Sequence, residues 1–507
     1  MSRTTRILHA LVFGYANQVL VTLVGIWLTA FLLGRLGPPE YGVWLVGTQI
    51  LGYLLLLDVG VVALLPREVA FATGRAGGAE AALELAGLVG STARIAMWQM
   101  LLVGTAALVV WLLLPDEWEA LRTPLAVVFA VFVLTFPARV FQAALSGLQD
   151  LAALSVAATG NWVIGTGLTV ALVLAGWGLY ALAAGWAVSQ GLSATIWTFR
   201  LRRRFPAAFP RHLTSVSKQA LRERVGRGLW VSLSQVAQVL VQGTDLLIIG
   251  KVLGPSAVVP YFCTGKVVTV LAHQPRLLAQ TAQPALSELR TGADSQRVRT
   301  ACGALTRAVL LLSGGVACLV LLLNEGFVTW WVGGVHYGGF WLTTALLGGM
   351  LLRHWNGTTI STLFALGHDR RLSITAVADG AVTLVASVLL TREYGLLGAA
   401  LGTIVGVALV SLPTNLLLLA TETASSVPRL VLDLWPWAWR FGLAAIAALM
   451  VARAWTPVTL PALIAATLLG GAMYAGLMWP LALAEPLGRY VRPRLMTVRR
   501  LIAPGTR

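Results

Sequence analysis

The chain has 507 residues, of which 57% are hydrophobic and 11% charged, and it carries a formal net charge of +17 at a mean hydropathy of +0.80. A soluble domain is about half apolar and about a quarter charged, so this composition excludes an ordinary soluble globule and indicates an integral membrane protein. The positive excess then reports topology, because Lys and Arg gather in cytoplasmic loops; nucleic-acid binding is not expected, since it would need a soluble basic face.

The cysteines Cys263, Cys302 and Cys318 are odd in number and lack metal spacing, so neither a disulfide framework nor a zinc site is implied. The first apolar run is too long for a signal-peptide core and has no small-residue cleavage site, so it is expected to remain as a membrane helix.

A helix crosses a bilayer with about 20 apolar residues. On that template the chain is an all-α integral membrane protein of about 14 transmembrane helices. They are predicted near 12–34, 42–65, 94–114, 123–146, 152–174, 179–199, 228–250, 257–282, 304–324, 339–365, 372–391, 396–420, 437–455 and 459–483. Four segments follow: an N-lobe at 1–199, a basic cytoplasmic linker at 200–227, a C-lobe at 228–421, and a C-terminal helix pair with a basic tail at 422–507.

The basic residues set the orientation. With the N-terminus cytoplasmic, the inner side holds most of them, including the run from Arg200 to Arg227 and the arginines from Arg489 to Arg507. The outer side receives only Arg35, Arg122, Lys251, Arg392 and Arg453. Both termini are therefore expected inside. The linker, broken by Pro206 and Pro210, reads as a topology-setting loop that can also touch anionic lipid.

A short pattern is written twice. Gly34-Arg35-Leu36-Gly37-Pro38 is echoed, with one insertion, by Gly250-Lys251-Val252-Leu253-Gly254-Pro255. Each copy ends one helix and turns into the next, since Gly suits the position after a helix and Pro cannot continue it. An even number of spans separates the copies, so both point the same way and the repeat is parallel. Two six-helix lobes are expected, with the last two helices as an addition.

Polar stripes follow the same register. Span seven carries Ser234, Gln238 and Asp245, with Gln235 and Gln242 close by. Gln18, Thr22 and Thr29 hold the matching places in span one. Such spacing keeps side chains on one side of a helix, and either a wet cleft shared by the lobes or plain helix–helix hydrogen bonding accounts for it.

The segment GRLGPPEYG (Gly34–Gly42), the run Leu57-Asp58-Val59-Gly60, the stretch from Asp245 to Pro255 with Tyr261 and Lys266, and Gly147-Leu148-Gln149-Asp150 together resemble the polysaccharide and O-antigen flippases of the multidrug/oligosaccharidyl-lipid/polysaccharide exporter superfamily. The likeness is best over 12–70 and 228–290, and the last two spans exceed the twelve-helix core of many members. The resemblance implies transport of a polyprenyl-diphosphate-linked oligosaccharide from the inner to the outer leaflet of a bacterial cytoplasmic membrane. It also implies alternating access by rocking of two lobes. Membrane lipids and polysaccharide polymerase machinery would be the partners. No cofactor is expected, and coupling to protons or sodium stays open.

Ionisable groups at bilayer depth are costly and usually face a cavity or a partner. Arg139, Lys266, Arg276 and Arg353 lie inside spans, as do Asp58, Asp245 and Asp379. A slight cationic excess suits a diphosphate, which Arg can grip in a bidentate manner. Arg353 and Lys266 lie deepest; Arg139 and Arg276 lie nearer the cytoplasmic ends, where snorkelling competes. Asp58 and Asp245 either bind a coupling cation or neutralise an arginine, and Asp379 is expected to pair or to face a polar helix contact. The alternative function is a cation-coupled multidrug or small-molecule antiporter of the same superfamily. A lipid-linked peptidoglycan precursor flippase is a near relative of the first reading. A membrane enzyme is disfavoured, because the outer loop Asn324–Gly338 offers only Glu325 and His336 without a partner set.

Overall fold

The structure is a computed structural model. It describes residues 3–58, 60–75, 79–210, 226, 232–233, 235–240, 243–288, 295–489 and 492, with side chains from residue 18 onward except at 74, 75, 79–82 and 284. Gln242, Ser234, most of the linker and most of the C-terminal tail lie outside the described residues. The chain forms two compact units, Met1–Val239 and Leu240–Arg507. Among the described residues there is no strand.

The first unit contains α1 (Arg3–Leu36), α2 (Pro38–Leu55), α3 (Val61–Arg75), α4 (Ala79–Leu112), α5 (Glu119–Thr135), α6 (Arg139–Gly147), α7 (Leu151–Leu174) and α8 (Leu179–Arg204). Gly37 takes φ 81°, a conformation that a side chain disfavours, and Pro38 opens the next helix.

Two spans expected to be continuous are broken. The expected helix 42–65 stops at Leu55, passes through a tight turn at Leu56–Asp58, and restarts at Val61. There the Asp58 carboxylate accepts the backbone N–H of Val62 at 3.2 Å, as a capping side chain does. The expected helix 123–146 breaks at Phe136–Ala138, where Pro137 removes a backbone donor. The short segments α3 and α6 then meet at backbone contact: a methyl on Gly147 would lie 2.6 Å from the Pro66 carbonyl and 2.7 Å from Val69 Cβ. Leu65, Val69, Val89, Ala96, Val140, Ala144 and Leu201 form the buried core around them.

The second unit contains α9 (Asp245–Val252), α10 (Val258–Thr281), α11 (Gln283–Glu288), α12 (Ser295–Val332), α13 (Phe340–Ala365), α14 (Asp369–Tyr394), α15 (Leu396–Gly406), a π-helical turn at Val407–Ser411, α16 (Leu412–Glu422), α17 (Val427–Leu432), α18 (Trp435–Ala454) and α19 (Leu460–Leu483). The added pair α18 and α19 packs on α12. The Tyr474 hydroxyl donates to the Leu311 carbonyl at 2.8 Å, and its ring lies over Gly315, where a methyl would come within 3.1 Å of the ring. Arg299 pairs with Asp433 at 3.2 Å at the basic end of α12.

Among the described residues, eleven helices are long and apolar enough to cross a membrane. Helices α8 and α13 have the length, at 26 residues each, but the first ends in a run of arginines and the second carries Arg353, His354, Asn356 and several threonines. The expected span 228–250 falls partly outside the described residues.

The repeat extends well beyond the doubled turn. Gly37 (φ 81°) and Gly254 (φ 91°) share a conformation, as do Gly178 (φ 51°, ψ −132°) and Gly395 (φ 60°, ψ −135°). The hairpin α7–α8 is matched by α14–α16. Asn161, Gly165 and Thr169 stand 218 residues before Asp379, Thr383 and Ser387, and Gly185 stands 217 before Gly402. The π-helical turn supplies the extra residue that brings Ser193 into step with Ser411, again 218 apart.

Candidate functional site

Small residues let the α14–α15 backbones touch. A methyl on Gly398 would lie 1.9 Å from the Leu390 carbonyl, one on Gly402 2.1 Å from Ser387 Oγ, and one on Gly406 1.9 Å from Thr383 Oγ1. This is the small-residue spacing of tightly crossing membrane helices. It brings Asp379 on α14 against the start of the π-helical turn, and such turns often mark functional sites.

Arg353 reaches Asp379 from α13. Its Nη1 donates to Oδ2 at 2.5 Å and its Nη2 to Oδ1 at 3.0 Å. The Nη2 group also donates to Thr383 Oγ1 at 3.3 Å and to the Thr403 carbonyl at 3.2 Å. Asp379 accepts two further bonds, from Thr383 Oγ1 at 3.0 Å and from Ser411 Oγ at 2.5 Å. Ser411 accepts from Asn356 Nδ2 at 2.9 Å, and Asn356 Oδ1 accepts from Asn415 Nδ2 at 2.9 Å. The network thus joins α13 to the hairpin α14–α16. Asp245 opens α9 and accepts the Tyr261 hydroxyl at 2.6 Å, and the Arg353 charge acts on it as well. Two carboxylates therefore share the influence of one guanidinium, whose Nε remains without a partner.

The first unit holds the neutral counterpart. Where Asp379 meets Ser411, Asn161 Nδ2 donates to Ser193 Oγ at 2.8 Å. The charged group of this unit lies instead at the two helix breaks. Arg139, first residue of α6, stands 3.8 Å from Asp58, and its guanidinium carbon lies 5.3 Å from the centre of the Phe136 ring. Gln99 donates to the Asp58 carbonyl at 2.6 Å, while Gln99 Oε1 and Arg139 Nη1 are buried without a partner. Interrupted membrane helices leave backbone groups to be satisfied by neighbours or ligands.

The remaining expected residues are placed as follows. Lys266 is half-buried on α10, its ammonium 5.0 Å from the centre of the Phe262 ring. No carboxylate among the described residues pairs with it. Arg276 is half-buried further along the same helix. Gln18 and Gln238 are exposed, and Thr22 and Gln235 half-buried. Thr29 is buried and donates to the Gly25 carbonyl at 2.9 Å, while Tyr41 donates to it at 3.4 Å. It serves helix contact. His354 is buried, with its Nδ1 2.7 Å from Ser313 Oγ. Asn324, expected to open a loop, lies within α12, which runs on to Val332, and its Nδ2 donates to the Thr264 carbonyl and to Thr343 Oγ1, both at 3.1 Å.

Several network members were absent from the sequence expectations: Thr383, Ser411, Asn356, Asn415, Asn161, Ser193 and Gln99. Thr383 is reached by extending the repeat from the doubled turn, where the offset is 216 to 217 residues, to the later hairpins, where Gly165 and Thr383 stand 218 apart. Gln149-Asp150, quoted there for its resemblance, is a corner: Gln149 has φ 61°, and Asp150 accepts Arg200 through two bonds of 2.8 and 3.1 Å.

Residues 94–342 match the family model described as polysaccharide biosynthesis protein. No curated protein matches the chain in sequence. Among solved structures, the lipid II flippase MurJ in an inward closed conformation is similar at a TM-score of 0.65 and 11% identity, covering 94% of this chain and 100% of that one. An inward-facing multidrug resistance MATE family transporter of the MOP superfamily gives 0.61 at 14% identity, covering 81% and 96%. An outward-facing member of the same transporter family gives 0.53 at 16% identity, covering 82% and 94%. The chain therefore has the fold of the multidrug/oligosaccharidyl-lipid/polysaccharide exporters, and across its middle it carries the sequence pattern of the polysaccharide biosynthesis proteins.

Proposed function

We propose that the chain is a flippase. It moves a polyprenyl-diphosphate-linked oligosaccharide from the cytoplasmic to the outer leaflet of a bacterial inner membrane, for surface polysaccharide synthesis. Both termini lie in the cytoplasm, as the basic residues require, and the two lobes alternate access to a cationic central cleft. The observation that carries this reading is the combination of a polysaccharide family match over 94–342 with intramembrane cations whose charge is incompletely neutralised. Among the described residues no carboxylate pairs with Lys266, whose ammonium lies 5.0 Å from the centre of the Phe262 ring, and Arg139 is held loosely by Asp58 at 3.8 Å. A diphosphate crossing a low-dielectric slab needs such groups, and a guanidinium with an unpaired nitrogen can donate to a phosphate oxygen without first breaking its ion pair.

In this reading Lys266, Arg139 and Arg276 meet the head group, while the lipid tail stays in the bilayer. Arg353, held by Asp379, contributes only when that pair exchanges partners. Asp58, Asp245 and Asp379 balance the cations. Binding tests the assignment. Polyprenyl-diphosphate oligosaccharide should bind the purified protein, and its neutral, dephosphorylated counterpart should bind roughly tenfold or more weaker. Lys266→Ala should abolish most of that preference. Equal binding of the two lipids would refute the cationic site.

A second reading is a cation-coupled small-molecule antiporter. It is favoured by two carboxylates set in the second unit, Asp245 bonded to Tyr261 and Asp379 bonded to Arg353. Gradient-driven uptake of small organic cations, with no movement of the lipid, would establish it.

A further inference from the structure

The charged end of α8 carries a cavity that none of these networks uses. It has a volume of about 630 Å3 and is lined by Thr195, Ile196, Phe199, Arg200, Arg203 and Arg204. These positions recur at the three- and four-residue spacing of one helix face. The helix has 26 residues, or about 39 Å at 1.5 Å per residue, longer than the roughly 30 Å hydrocarbon core. Centred on that core, the helix would carry its basic last turn to the aqueous interface and leave Ile196 and Phe199 at hydrocarbon depth.

The side chains are arranged to leave positive charge available. Arg200 is fixed on Asp150 and cannot fold into the cavity without breaking two hydrogen bonds. Arg203 lies with its guanidinium carbon 4.2 Å from the centre of the Phe199 ring. No carboxylate among the described residues pairs with Arg203 or Arg204. Ile196 is 37% and Phe199 53% exposed. The groove thus runs from an apolar wall to a doubly cationic rim.

We propose that this groove binds an anionic phospholipid, its phosphate on Arg203 and Arg204 and an acyl chain along Ile196 and Phe199. A free anion would leave the apolar wall bare. A zwitterionic lipid would bring an ammonium that offsets the attraction. The proposal does not depend on the transport reading.

The test uses the full chain in detergent, titrated with phosphatidylglycerol or phosphatidylcholine and read by native mass spectrometry. Phosphatidylglycerol should be retained in preference. Each interfacial cation contributes about fivefold, so Arg203→Ala with Arg204→Ala should weaken its binding roughly thirtyfold and leave phosphatidylcholine unchanged. The double Lys variant should keep most of the affinity, and Phe199→Ala should weaken both lipids. Inorganic phosphate should not displace the lipid. Equal retention of the two lipids would overturn the proposal. So would unchanged affinity in the double Ala variant, which would mean another part of the chain covers the groove. Displacement by equimolar polyprenyl diphosphate would also overturn it, assigning the groove to the transported lipid instead.

Discussion

Exchanging Asp379 for Asn removes the counter-charge of the second unit's network while nearly preserving its shape. The Asp379 side chain is 3% exposed and that of Arg353 21%. After the exchange, the guanidinium keeps only the Thr403 carbonyl, the Thr383 hydroxyl and one amide oxygen. Removing one partner of a buried ion pair costs about 3–5 kcal/mol. The partial exposure of Arg353 and the surviving hydrogen bonds put the expectation at the lower end, about 3 kcal/mol. For a unit of this size that corresponds to a fall of roughly 6–12 °C in thermal unfolding of the solubilised protein at a fixed scan rate. Arg353→Met alone strands Asp379 and should fall comparably. The double exchange Arg353→Met with Asp379→Leu removes both members of the pair, leaving only Asp245 without the guanidinium charge, and should cost about 1.5 kcal/mol at most, a coupling of about 4.5 kcal/mol. The reasoning is refuted if Asp379→Asn unfolds within about 1 °C of the unaltered chain. It is equally refuted if the double variant falls by the sum of the two single losses.

The other expectations concern packing and the repeat. Gly406→Ala places a methyl 1.9 Å from Thr383 Oγ1 and 2.5 Å from Asp379 Oδ1, so it should lower the unfolding temperature by several degrees. Gly52→Ala, with open space around it, should be neutral or slightly stabilising. Asn161→Ala should cost only about 0.6–1 kcal/mol; a loss as large as that of Asp379→Asn would show that charge is not what distinguishes the two hairpins. Gly314→Leu should displace α18 and α19 from α12, because a Cβ there already lies 2.5 Å from the Tyr474 hydroxyl. Limited proteolysis between Ala424 and Trp435 should speed up, whereas Tyr474→Phe should change it little.

Fold class and repeat were legible because both rest on hydrophobic length and on turn chemistry, which are local. Gly37 and Gly254 announce themselves beside Pro38 and Pro255, and their conformations agree. The helix breaks were less visible. Pro137 was present to be read, but a single Pro is tolerated within membrane helices, as Pro275 within α10 shows. The break after Leu55 has no Pro at all: it depends on Asp58 capping Val62 and on Gln99 reaching back from α4. For the site, depth was legible and partnership was not. Arg353 and Asp379 were singled out because charge is costly in a span, but their pairing crosses two helices, 26 residues apart. Ser411 stands 218 residues after Ser193, but Gly185 and Gly402 just before them stand 217 apart, so a register carried along from those glycines misses it by the residue that the π-helical turn adds. Asn161 and Ser193 carry no charge and left no trace in a search for costly groups.

The most direct measurement is leaflet exposure of a labelled polyprenyl-diphosphate oligosaccharide in proteoliposomes. Three preparations are compared: the unaltered chain, a Lys266→Ala variant that unfolds at the same temperature, and empty vesicles. The flippase account predicts rapid exposure by the unaltered chain, at least tenfold slower exposure by the variant, and none in empty vesicles. Exposure no faster than in empty vesicles, alongside gradient-driven uptake of small cations, would contradict it and leave the antiporter reading in its place.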